Sequence, residues 1–260
     1  MSAPAARADA PAAPLVEWLL RMGDTTLILG HRLSEWCGHA PVLEEDIATA
    51  NVALDLIGQA QAWLTYAGEA EGAGRDADRL AFHRDAHDFR NALLAERPNG
   101  DYGATVMRQL LFDAWHHPLL ERLARSADAR VAGIAAKAVK EAAYHLERSA
   151  DLVIRLGDGT PESHRRMQAA LDALWPWAGE LGTADAVDAA MAEAGVAPRP
   201  DAVRPVWRAT VDEVLAEATL TAPDGAFVQR GGFQGRHSEH LGHLLAIMQT
   251  LPRSHPDARW

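Results

Sequence analysis

The stretch KAVKEAAYHLERS, residues 137–149, sets Glu141 and His145 four residues apart, so on a helix they project within ~40° of each other. A carboxylate and an imidazole on one helix face are metal-ligand types. In di-iron helical bundles two helices each give a Glu and two others each give Glu-x-x-His. Here the spacing departs by one residue, because Tyr144 stands where that histidine would fall. Val131, Ile134, Ala138, Leu152 and Leu156 lie near the pair on the wheel, so two ionisable groups enter the edge of an apolar stripe. Burial without a partner is costly, and each group therefore needs a metal, a hydrogen-bond partner or solvent.

Three other segments carry similar polar lines. Asp113 and His117 share a face with Val106, Leu110, Leu120 and Ala124, and His116 offers an alternative Asp-x-x-His spacing. Asn51, Asp55 and Gln59 form a second line, and Glu17, Asp24, His31 and Glu35 a third. A paired-iron centre needs an imidazole for each iron, yet the segment around Asp55 contains no histidine and places Gly58 three residues on. The full ligand set cannot be assembled at normal spacing. A single residual ion reached by His145 stays open as an alternative, and a buried network of hydrogen bonds and ion pairs is the preferred reading. Asp24, Asp55, Asp113, Glu141 and His145 are the candidates for the degenerate positions. No catalytic or cofactor-binding residue is expected, and no metal in this chain.

Helical periodicity predicts the elements that position these residues. Long helices are expected over 15–37, 43–70, 102–125 (kinked at Pro118) and 128–156, with a further helix over 76–96 in a crossover between two antiparallel hairpins. Shorter helices are expected over 161–178, 184–194, 206–220 and 237–251. Strand-like alternation is absent. The expected fold is all-α, a ferritin-like four-helix bundle with additional helices, in a single domain over 15–260. Residues 1–14 read as a disordered leader and APRPDAVRP as a linker or loop.

The 260 residues are 48% hydrophobic, enough for a substantial core, and carry a formal charge of −11. That charge argues against nucleic acid and anionic membrane as partners. One cysteine, Cys37, excludes an intrachain disulfide and suits a reducing, cytoplasmic compartment; beside Trp36 it reads as a packing residue. His237, His240 and His243 recur every third residue and suit a surface or interface better than a metal. RGGFQGR lacks the order of a phosphate loop and reads as flexible, leaving Arg230 and Arg236 as groups that could meet coenzyme A or a partner. Eight tryptophans, Trp260 among them, fit a core or an interface. The first helix is apolar on two sides, with Leu15, Leu19, Leu29 and Leu33 on one and Leu20, Leu27 and Ile28 on the other, which predicts cover on both and points to a partner.

Four stretches, RLSEWCGHAPVLEEDIATANVALDLIGQAQ, LFDAWH, IRLGDGTPESHRRMQAALDALWP and QGRHSEHLGHLLAIMQTLP, resemble the C-subunit (PaaC) family of the bacterial multicomponent phenylacetyl-CoA 1,2-epoxidase. The resemblance extends over 15–260. It implies a ferritin-like, non-catalytic structural subunit in aerobic phenylacetate degradation, which pairs with a homologous catalytic A subunit and associates with the other subunits of that complex. It further implies that the di-iron centre belongs to the A subunit and that a reductase subunit supplies it with electrons from NADPH. The competing readings are an independent ferritin-like metalloenzyme with a reduced site, built on Asp113, Glu141 and His145 with His116 or His117, and a ferritin-like metal store.

Overall fold

The computed structural model describes residues 12–225, 227–256 and 258; the expectations for residues 1–11 and for Trp260 lie outside them. Two long antiparallel hairpins form the centre. The first pairs α1 (Ala12–Ser34) with α2 (Leu43–Glu71), and the second pairs α5 (Tyr102–Leu123) with α6 (Ala129–Gly157). The crossover between them carries α3 (Ala77–Phe82), a 3-10 turn at Ala86–Asp88 and the single turn α4 (Leu93–Glu96). Then come α7 (Pro161–Ala178), α8 (Ala186–Glu193), α9 (Pro200–Glu217) and α10 (Glu239–Ser254). α7 and α9 cover the second hairpin, α8 packs on α1, and α10 rests on α3 and α4. This is the expected all-α, ferritin-like bundle with additional helices. None of the described helices is long and apolar enough to cross a membrane.

Local chemistry sets the ends of these helices. Asp101 caps α5 by accepting from the Ala104 N–H at 2.8 Å, and Asp128 caps α6 by accepting from Arg130 and Val131. Gly72 closes α2 in the left-handed region, at φ +69°, where a side chain is disfavoured. Pro118 lies inside α5, which continues to Leu123.

Several boundaries differ from the sequence reading. The first helix begins at Ala12, inside the segment expected to be a leader. The helix expected over 76–96 is broken, because its backbone and arginines bond to α1. The Arg90 N–H donates to Asp24 at 2.8 Å and the Ala92 N–H to the Thr25 hydroxyl at 3.0 Å, while Phe89 is extended and fully buried. Donors engaged in this way cannot continue a helical ladder. The supposed linker 197–205 contains the start of α9, with Pro200 in the first turn, where its missing N–H leaves no bond unmade. Cys37 lies beyond the end of α1 and is exposed, so it is not a packing residue.

The two-sided apolar character of α1 is satisfied within the chain. Leu15, Leu19, Leu29 and Leu33 are buried, and so are Leu20, Leu27 and Ile28 on the other side. α2 covers one flank, and α4 and α8 supply further cover. The expectation that a partner must cover this helix is therefore overturned. Most tryptophans are structural as well: Trp18 and Trp63 meet edge to face at 5.9 Å between α1 and α2, and Trp207 donates to the Leu111 carbonyl at 2.9 Å.

Candidate functional site

Among the polar lines of the long helices, α6 supplies a histidine in a core position. His145 falls in register with Val131, Ala135, Ala138, Ala142 and Ser149, all buried, whereas Tyr144 points outward and is 52% exposed. The one-residue displacement seen in the sequence is thus a real choice of face. His145 Nε2 lies 2.9 Å from Asp55 Oδ2 on α2, and one turn earlier Glu141 accepts from Gln59 Nε2 at 3.1 Å. Two carboxylate–side-chain pairs therefore bridge α2 and α6.

Opposite them, α5 buries Asp113 and His116. Asp113 accepts from Gln109 Nε2 at 2.7 Å and from the Ser149 hydroxyl at 2.9 Å. Burial pushes its carboxyl up to about 6, against the pull of His145 and of these hydrogen bonds. His116 has no exposure, clusters with Phe112 and Trp115, and is driven down to about 3 by burial, with His145 and His117 adding to the effect. It is a neutral imidazole, and neither of its ring nitrogens has a partner among the described residues. His117, the alternative in sequence, is only half-buried.

Asp24 is fully buried but belongs elsewhere. It receives the guanidinium of Arg84 and the N–H of Arg90, so its charge is matched by a cation from the crossover. Asn51 is exposed, and Glu17 pairs with Arg90 at the edge of the bundle. Asp55, Asp113, Glu141 and His145 thus gather on facing sides of α2, α5 and α6, while Asp24 does not join them.

These groups do not fit a pair of irons. Asp55 is engaged by His145, Glu141 by Gln59, and Asp113 by Gln109 and Ser149, so each carboxylate has a protein partner. Among the described residues no group of three His, Cys, Asp or Glu is placed to hold a metal ion. Among the described residues, Gln59 Oε1, Gln109 Oε1, His145 Nδ1 and both nitrogens of His116 are buried without hydrogen-bond partners. Above Gln59 and Glu141, α2 and α6 separate into a groove of about 360 Å³ whose walls thin at Gly58, Ala62 and Gly133.

Two buried networks escaped sequence reasoning. Glu96 accepts from Asn91, from His237 at 2.8 Å, and from the Ser238 N–H and hydroxyl at 2.7 Å each. His237 is therefore a buried structural residue and not a surface group, while His243 is exposed as expected. The RGGFQGR loop is equally defined. Gly231 and Gly232 turn their N–H groups onto the Glu180 carboxylate at 2.7 and 2.9 Å, and the Leu93 N–H joins at 3.0 Å. The anion cradled by this glycine loop is the chain's own glutamate. Arg230 and Arg236 form no hydrogen bond or ion pair with it. A buried Glu with a glycine-rich partner far along the chain leaves no local signal that a sequence reading could use.

Comparison with known proteins places the chain among relatives. The profile of the family described as phenylacetic acid catabolic protein matches residues 1–260. The C subunit of the 1,2-phenylacetyl-CoA epoxidase of Escherichia coli (strain K12) is 48% identical over 246 residues, covering 95% of this chain and 99% of that protein.

Proposed function

The chain belongs to the phenylacetic acid catabolic protein family, and from that premise we propose that it is a non-catalytic structural subunit of a phenylacetyl-CoA epoxidase, pairing with and supporting the homologous A subunit. On this reading the di-iron centre and the NADPH-dependent oxygen chemistry belong to the partner and the electron-transfer subunit, and this chain holds no cofactor. It acts in phenylacetate catabolism as part of an assembly.

The observation that carries the reading is the closed state of the bundle's carboxylates. In a metal-holding bundle Asp55, Asp113 and Glu141 would turn lone pairs to a shared ion; here His145, Ser149, Gln109 and Gln59 take them. The polar centre fixes how the two hairpins meet.

The surface supplies the other half of the argument. α2 exposes Leu43, Ile47, Leu54 and Ile57, which recur at helical spacing, and Tyr144 of α6 is exposed nearby in sequence to Glu141. Leu54 also lines the groove over Gly58 and Gly133. Apolar residues flanking a groove thinned by small residues are the surface on which a long helix of a homologous bundle can lie. The A subunit is the occupant proposed. Co-expression with that subunit, purification of the pair and iron analysis of each separated chain test the assignment. Iron retained by the A subunit, with less than one per molecule here, supports it; two tightly held irons in this chain would favour the metalloenzyme reading.

A further inference from the structure

Away from the polar centre, the chain holds a cleft of about 430 Å³ bounded by the end of α7, the 3-10 turn Gly179–Gly182, the early turns of α9, and residues 223–225 and 228. Its volume lies in the range of small-molecule sites. Three tryptophans line it: Trp115, Trp175 and Trp207. Trp175 is only half-buried, and it meets Trp207 at 5.7 Å between ring centroids. Trp207 has its N–H satisfied by the Leu111 carbonyl, so its ring is fixed. The indole N–H groups of Trp115 and Trp175 have no acceptor among the described residues.

Two arginines complete the lining. Arg204 is exposed and makes no hydrogen bond or ion pair among the described residues. Its stem is nevertheless held, because a Cβ added at Gly182 would come within 3.1 Å of Arg204 Cδ. Arg208 lies 5.2 Å from the centroid of Trp175 and gives its Nε to Asp212 at 2.7 Å, leaving other guanidinium N–H groups unassigned. Asp224 is the one carboxylate in the lining. Val228 rests against Gly179, and the Gln229 N–H donates to the Pro176 carbonyl at 2.8 Å.

The lining sets two guanidinium groups, one of them already bonded to Asp212, against the Asp224 carboxylate, and it adds indole N–H groups that have no acceptor among the described residues. A flat ring stacks on indole, and guanidinium groups take phosphate oxygens in a planar fork. We propose that the cleft bounded by Trp175, Trp207, Arg204 and Arg208 binds a mononucleotide, a flat heteroaromatic base carrying phosphate. The phosphate belongs at the guanidinium groups and the base against the half-buried indole of Trp175. The same chemistry occurs in a free nucleotide and in the nucleotide end of coenzyme A. Only the second source rests on the functional reading above.

Isothermal titration of the full-length chain with ADP, adenosine, inorganic phosphate and coenzyme A tests the site. The expected result is one ADP or coenzyme A bound per chain, with adenosine alone and phosphate alone each at least ~10-fold weaker, because each offers half of the recognition. Tighter binding of coenzyme A identifies the thioester carrier as the source, and tighter binding of ADP a free nucleotide. Arg204→Gln and Trp175→Ala should each weaken binding about 10-fold or more. Arg204→Gln should leave the melting temperature unchanged, since that guanidinium has no partner to lose. Arg165→Gln, on the exposed face of α7, should bind as the parent chain does. Absence of measurable binding of either nucleotide to the folded chain would overturn the proposal. So would binding that survives both cleft substitutions. A failure here leaves pairing with the A subunit untouched, because that reading is tested by co-purification.

Discussion

Glu96 shows how one carboxylate can join distant parts of the chain. It ends α4 and accepts from His237 and Ser238, which lead into α10. His237 Nε2 also meets the Phe89 carbonyl at 3.0 Å, so both ring nitrogens face acceptors and the ring is an imidazolium. Burial opposes that charge, but the bonds to Glu96 and Phe89 outweigh it and raise the pKa of His237. Burial likewise opposes the Glu96 charge, and the bonds from His237 and Ser238 prevail and lower its pKa. The His237 contribution is complete below its unfolded value near 6.5 and is lost as pH rises through the raised folded value. The Glu96 contribution is complete above 4.5 and is lost as pH falls through the depressed value. Glu96→Gln should therefore cost roughly 2–4 kcal/mol in urea unfolding at pH 6, and clearly less at pH 9. At the polar centre, His145→Ala should cost ~1–3 kcal/mol, chiefly by opening space at a fully buried ring, since Asp55 is partly exposed and water can replace its bond. Iron content and turnover of the assembled epoxidase, compared at equal folded concentration, should not change. Glu141→Ala should cost less, because Glu141 is half-buried and, among the described residues, bonds to Gln59 alone. The displaced histidine was legible from Glu141, Tyr144 and His145 alone. The Glu96–His237 pair was not, because 141 residues separate the partners and neither has a distinctive local context.

Among the elements, the four long helices were readable from sustained apolar periodicity, to which α2 adds a glycine stop and α5 and α6 an aspartate cap. The crossover was misread, since its periodicity resembles a helix while its N–H groups and arginines are drawn to Asp24 and Thr25 of α1. The start of α9 was hidden by the three prolines of 197–205, which suggest a linker, although Pro200 is well tolerated in a first turn. Close packing at the helix ends makes opposite predictions for two glycines. A Cβ at Gly68 would lie 2.0 Å from the Arg75 carbonyl oxygen, so Gly68→Ala should destabilise by ~1–3 kcal/mol as the turn after α2 is forced away. At Gly58, inside α2, nothing lies within 4 Å of the added Cβ, so Gly58→Ala should stabilise the isolated chain by ~0.5–1 kcal/mol. Thermal melts of the two variants separate these outcomes by sign.

For the whole molecule, the buried first helix moves the expected partner surface from α1 to the outer side of α2. Leu20 and Ile28 pack inside the chain, whereas Leu43, Ile47, Leu54 and Ile57 stand in solvent. Sequence periodicity revealed that apolar surface needed cover, but it could not tell which helix the chain itself would cover. An apolar face predicts an interface above roughly 2,000 Å² in total and association that persists at high salt, whereas pairing driven by the −11 charge would weaken as screening increases. Size-exclusion chromatography of this chain co-expressed with the A subunit, at low and high salt and with Leu54→Glu as the variant, tests whether the two chains pair through the outer side of α2. Pairing through this face predicts a complex that survives both salt conditions and is lost with Leu54→Glu, whose exposed site leaves the separate chain folded. A chain that elutes apart from the A subunit at every salt concentration would contradict it.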